Sequence, residues 1–278
     1  VTATEFTEPD TSPAVSDSPE VAIRHVLLFG ASNLVLGWPA LTRQLQQQIA
    51  QPVHIHTCLG MGRSYIRPSR CLTRSLPGVL ESRLWQNLPR PSATPPLVLL
   101  TDVGNDIIYR FPVTDIQQAV AETIRRIRTW DARADIVLTG LPVQALDDLS
   151  PFRFQLARLL LFQGSPLTLA EAQQQAHELQ QLLSQLATAQ RLQLVQPDRA
   201  WYGLDPIHYR RRFRNTAFQT YFSRWTEWTP ASDSATADSP LPAVAPPLPT
   251  SADVTRRGRL TVIPQPVFQS RRLQISAW

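Results

Sequence analysis

Short, uninterrupted apolar runs that alternate with stretches of helical periodicity constrain this chain more than any other feature. Val26-Leu-Leu-Phe29, Leu97-Val-Leu-Leu100 and Ile136-Val-Leu138 are too short for helices and have no polar side. That pattern suits strands of a parallel sheet covered on both faces. Val53 to Cys58, where Val53, Ile55 and Thr57 alternate with His54 and His56, and Leu192 to Val195 add two more strands. Helical spacing resumes between them, at Leu34, Trp38, Leu41 and Leu45, then at Ile116, Val120, Ile124 and Ile127, then over Phe152 to Phe162 and Leu169 to Ala189. The pattern also predicts helices over Arg70 to Leu84, interrupted at Pro77-Gly78, and over Arg210 to Trp228. Alternation of this kind predicts an α/β fold: a three-layer α/β/α sandwich with a central parallel five-stranded sheet.

The flanks differ in composition. Residues 1–21 are rich in Thr, Ser, Pro, Asp and Glu and read as a disordered N-terminal tail. Residues 22–228 form the domain. Residues 229–278, rich in Pro, Ser and Ala, read as a largely disordered C-terminal tail, with some strand character at Arg259 to Ile263 and Pro266 to Phe268.

The net charge of +5 invites a nucleic-acid partner. Every basic residue is Arg, however, and they are scattered, so a coding bias accounts for the charge and no nucleic acid is expected. No run is long enough to span a membrane, and Val1 to Glu20 has no apolar core of a signal peptide. Cys58 and Cys71 are too few for a disulfide framework and wrongly spaced for zinc. A cytoplasmic compartment is therefore expected. His25, His54 and His56 have no Asp or Glu at ligand spacing, and alternating His on a strand reads as a polar face. No cofactor or metal is expected, and the oligomeric state is left open.

Four short motifs fall at strand ends or just before the last helix, which brings them to one edge of such a sheet. Ser32, in Gly30-Ala-Ser-Asn33, stands where a strand hands over to a helix, as a nucleophile or as a helix cap. Asp205-Pro-Ile-His208 sets a carboxylate three residues ahead of an imidazole. With Pro206 at the first helical position, Asp205 either orients His208 as a base or merely caps the helix. Asn105, in Gly104-Asn-Asp106, offers an amide to a developing oxyanion or makes an Asx-turn. Gly62, or alternatively Gly60, offers a backbone N–H or serves a tight turn. Arg210, Arg211, Arg212 and Arg214 read as a solvated helix face, and Cys58 as a small buried hydrophobe.

Together these residues resemble the SGNH hydrolase superfamily, the GDSL-type esterases and lipases. Gly30-Ala-Ser-Asn33 is similar to its first block, Gly62 to its second, Gly104-Asn-Asp106 to its third and Asp205-Pro-Ile-His208 to its fifth. The resemblance runs from about Arg24 to Arg212. It implies a flavodoxin-like three-layer fold and hydrolysis of a small-molecule, glycan or lipid ester. It also implies Ser32 as nucleophile, His208 as base, Asp205 as its partner, and an oxyanion hole from Ser32, Gly62 and Asn105. Ala31 stands where the family usually has Asp, a departure that bears on the shape of the turn and not on the triad. The alternatives are a catalytically inactive SGNH-fold scaffold that recruits a partner through its Pro-rich tail, and a nucleotide-binding α/β protein. The latter lacks the Gly-x-Gly-x-x-Gly spacing at Gly30 to Gly37.

Overall fold

The structure, a computed structural model, describes residues 22–71, 74–161, 166–228 and 245–278. In chain order, β1 (Arg24–Phe29), α1 (Ser32–Gln48) and β2 (Val53–Cys58) are followed by two short strands, β3 (Ser69–Cys71) and β4 (Arg74–Leu76), and by α2 (Leu84–Asn87). Next come β5 (Leu97–Leu100), α3 (Asn105–Ile108), α4 (Val113–Trp130), β6 (Asp135–Thr139), α5 (Val143–Asp147) and α6 (Pro151–Leu161). The chain then forms α7 (Leu169–Gln190), β7 (Gln193–Val195), α8 (Arg214–Phe222), β8 (Asp253–Arg256), β9 (Arg259–Val262), β10 (Phe268–Gln269) and β11 (Leu273–Ala277).

The main sheet runs β10-β11-β2-β1-β5-β6-β7, and every pairing in it is parallel except β10 with β11. All six residues of β1 are buried, as a strand covered on both sides requires. One face carries Leu27, Phe29, Val98, Leu100 and Leu138 against α4 and α7. The other carries Val26, Leu28, Ile55, Leu99 and Val137 against α1, α8 and the rings of Trp201, Tyr209, Phe218 and Trp225. The result is the expected α/β/α sandwich. The chain order changes direction at β1, whose neighbours are β2 and β5, so a crevice opens beyond its carboxyl end.

The sheet has seven strands where five were expected, and the two additional ones come from the segment read as a tail. β11 lies parallel to β2 with Ile275 opposite Ile55, and Leu273, Ile275 and Ala277 are buried. Before it, Trp38 donates through its indole to the carbonyls of Pro246 and Pro247. Residues 245–278 thus fold onto the domain. Residues 1–21 and 229–244 lie outside the described residues.

A second difference falls within Arg70 to Leu84, where a helix was expected. There β3 and β4 join a separate antiparallel sheet, ordered β3-β4-β8-β9, whose other half comes from the far end of the sequence. The last helix is also shorter than expected, because a 3-10 turn over Arg211–Phe213 precedes α8. The histidines of β1 and β2 do not form a polar face either: His25 and His56 are buried on the same side of the sheet as Leu27 and Phe29.

Candidate active site

Ser32 is the first residue of α1, and the N-cap position, Ala31, makes no side-chain cap. The reading of Ser32 as a capping residue is therefore not what the structure has. The cap comes from Asp102, just past the end of the neighbouring strand β5. One carboxylate oxygen of Asp102 accepts from the amides of Ala31 at 2.7 Å and Asn33 at 3.2 Å, and the other accepts from Asn33 Nδ2 at 2.7 Å. Negative charge at a helix start is favourable, because the first amides have no partner within the helix. With the amides on either side bound to Asp102, that of Ser32 makes no hydrogen bond among the described residues. Asp102 has φ 60°, a left-handed conformation that Asp tolerates better than most residues. Burial pushes its carboxyl up from the ordinary value, against its Asn33 and Ala31 donors and the nearby His208.

Asn33 ties this turn to the loop that carries His208. Its Nδ2 donates to the carbonyl of Ile207 at 2.9 Å, and its Oδ1 accepts from the amide of Tyr209 at 3.0 Å. The residue after Ser32 therefore holds the main chain on both sides of His208. Pro206 does not begin a helix, because residues 204–208 form a succession of bends. Asp205 stabilises them by accepting from the amides of Ile207 at 3.0 Å and His208 at 3.2 Å, while its second oxygen lies 2.5 Å from His208 Nδ1. Burial pushes the Asp205 carboxyl up, but the bond to His208, its charge and the two amides outweigh that and hold it below the usual value.

The second and third motifs meet on the other side. Gly62 has φ 66°, which glycine adopts without strain, in a turn closed by the Arg63 amide on the Gly60 carbonyl at 3.0 Å. Gly60 is small for a different reason, since a Cβ there would lie 2.1 Å from Leu76 Cδ1. Asn105 opens α3, and its Nδ2 reaches the Arg63 carbonyl at 3.4 Å. The Tyr109 hydroxyl donates to the Gly62 carbonyl at 2.5 Å. Beneath them, Asp106 is wholly buried and accepts from the Ser64 hydroxyl and, at 2.8 Å, from the Tyr65 amide. Burial raises its carboxyl to about 6, with both donors opposing the shift. The Tyr65 hydroxyl donates to the carbonyls of Thr101 at 2.9 Å and Phe29 at 3.2 Å, fixing the loop to the ends of β5 and β1.

An apolar cavity adjoins Asn33, Asp102 and Asn105, walled by Ile107, Leu141, Leu146, Phe154 and Leu167. Asp205 and His208 face a wider groove bordered by Arg153, Arg199, Arg210, Arg211 and Arg214, a markedly electropositive rim. Arg210, Arg211 and Arg214 thus border the site as well as the helix surface, while the Arg212 guanidinium lies 4.8 Å from the centre of the Phe213 ring. Cys58 is a buried free thiol, as expected. Asp102 is the residue that sequence reasoning missed. The one available signal was the absence of a carboxylate at position 31.

No family model matches the chain, and no curated protein matches it in sequence. Solved structures similar to it include the psychrotrophic esterase EstA from Pseudoalteromonas sp., 13% identical with a TM-score of 0.44, which covers 73% of this chain and 98% of that one. An extracellular lipase from Streptomyces rimosus is 12% identical with a TM-score of 0.43, covering 74% and 100%. A family two carbohydrate esterase from Clostridium thermocellum is 11% identical with a TM-score of 0.43, covering 76% and 66%.

Proposed function

We propose that this chain is a serine hydrolase of the SGNH, GDSL-type kind that cleaves carboxylic esters through an acyl-enzyme. The observation that carries the reading is the pair of hydrogen bonds by which Asn33 donates to the Ile207 carbonyl and accepts from the Tyr209 amide, on either side of His208, together with Asp205 on His208 Nδ1. Asp205 fixes the tautomer in which Nε2 is free to accept a proton. Ser32 Oγ attacks the ester carbonyl, and His208 takes the hydroxyl proton and returns it to the leaving alcohol. Water then repeats the sequence on the acyl-enzyme and restores Ser32. The oxyanion is held by the Ser32 amide, the Gly62 amide and Asn105 Nδ2, donors aimed where charge develops. The apolar cavity takes the acyl group.

The test is direct. The purified chain should hydrolyse a short-chain chromogenic ester and be labelled by a fluorophosphonate at Ser32. Ser32→Ala should abolish both, with an unchanged far-UV spectrum. Undiminished turnover in that variant overturns the assignment.

A further inference from the structure

At the opposite, amino-terminal ends of the central strands, three imidazoles meet. His25 on β1 is the register partner of His54 on β2, and His56 follows two residues on along the same face. One ring nitrogen from each lies within 4.8 Å of the other two. His25 Nδ1 is 3.1 Å from His56 Nε2, and the His54 and His56 ring centres are 3.8 Å apart. His25 and His56 are buried, while His54 is half-buried and gives the cluster an opening to solvent. His56 presents Nε2 to this group, and its other ring nitrogen, the buried Nδ1, has no hydrogen-bond partner among the described residues.

Partial negative charge lies beside the cluster, although the Asp131 carboxylate is itself bound by the Arg133 guanidinium at 2.8 Å. The end of α4 lies against the cluster: Trp130 packs edge-on to His25 with ring centres 5.7 Å apart, and the buried Asp131 acts electrostatically on the same ring. The carboxyl end of a helix carries partial negative charge. From β11, Ser276 Oγ stands 3.0 Å from His54 Nε2.

We propose that His25, His54 and His56 bind one divalent transition-metal ion of the zinc type, with Ser276 Oγ or a water as the fourth ligand. Tetrahedral coordination at about 2.0–2.1 Å separates the ligand nitrogens by about 3.3 Å. The His25–His56 pair, at 3.1 Å, is already near that spacing, and the three ligand nitrogens, within 4.8 Å of one another, close on the ion by movement of the half-buried His54 ring. An all-imidazole set selects zinc, copper, nickel or cobalt over calcium and magnesium, which take oxygen ligands. The ion would clamp β1 to β2, and through Ser276 to β11, away from Ser32. The site therefore stands independently of the ester chemistry.

The experiment uses the full chain without a histidine tag, stripped with a chelator and then titrated with zinc chloride by calorimetry and with cobalt(II) by visible absorption. One zinc ion per chain, intense tetrahedral cobalt bands and a zinc-dependent rise in Tm are expected. His54→Ala should weaken zinc binding at least about tenfold and remove the rise. His54→Gln provides the same comparison if the alanine variant does not fold. Absence of zinc binding by the unmodified chain overturns the proposal. So does undiminished binding in the folded His54 variant, since the ion would then be sitting elsewhere, as at His177 or His208.

Discussion

Asp102 shapes the first turn although it arrives from the neighbouring strand. In the superfamily that the motifs resemble, position 31 usually carries the carboxylate. Here Ala31 and Asn33 present amides to Asp102 instead, so a carboxylate reaches the helix start across the β1–β5 pair. Asp102→Asn keeps the tolerance for positive φ but turns an NH2 group toward donors. The variant should lose about 1–3 kcal/mol in urea unfolding and turn over an ester more slowly. Asn105→Ala should lower kcat about a hundred- to a thousandfold with little change in KM, the signature of a donor used in the transition state. Ser32, Asn105, Asp205 and His208 stood out in the sequence because short spacings around strand ends mark them. The part played by Asp102 was not legible, because it depends on which strands are neighbours.

At the level of elements, α3 and the loop before β3 are joined through Asp106, and this junction responds to pH. Its carboxyl sits at about 6 in the folded chain against 3.8 for an ordinary aspartate, so the folded state holds its proton more tightly than the unfolded one. The stability from this group is fully present below about pH 4 and is lost as pH rises through about 6, by about 3 kcal/mol in all. Asp106→Asn should remove that fall from a plot of unfolding free energy against pH. Short-range patterning served well for β1, β5 and β6, which are unbroken apolar runs, for β2, which alternates, and for α4, whose apolar positions recur every three or four residues. It failed over Arg70 to Leu84, where β4 finds its partner in β8, far along the chain. It failed again at Pro206, where the amides of Ile207 and His208 donating to Asp205, and Asn33 donating to the Ile207 carbonyl, favour bends over a helical turn.

For the whole molecule, the decisive element is the one that composition disguised. The proline-rich stretch before β8 suggested a tail, yet β11 borders β2, and Trp278 pairs with the Thr57 carbonyl and accepts from Arg63, the residue after Gly62. Ile275→Ala, at a wholly buried position, should cost about 2–5 kcal/mol in denaturant unfolding. It should also slow ester turnover, because the strand supports the Gly62 turn through Arg63. No helix among the described residues is long and apolar enough to cross a membrane. The pairing of β11 with β2 also sets an order of events at the ribosome. β2 is synthesised well before β11 and must wait, with one row of amides and carbonyls unmatched, until β11 has been made. A waiting edge of that kind recruits strands from other nascent copies. Yield of native protein should therefore depend on chaperone supply and on slow translation more than its final stability suggests.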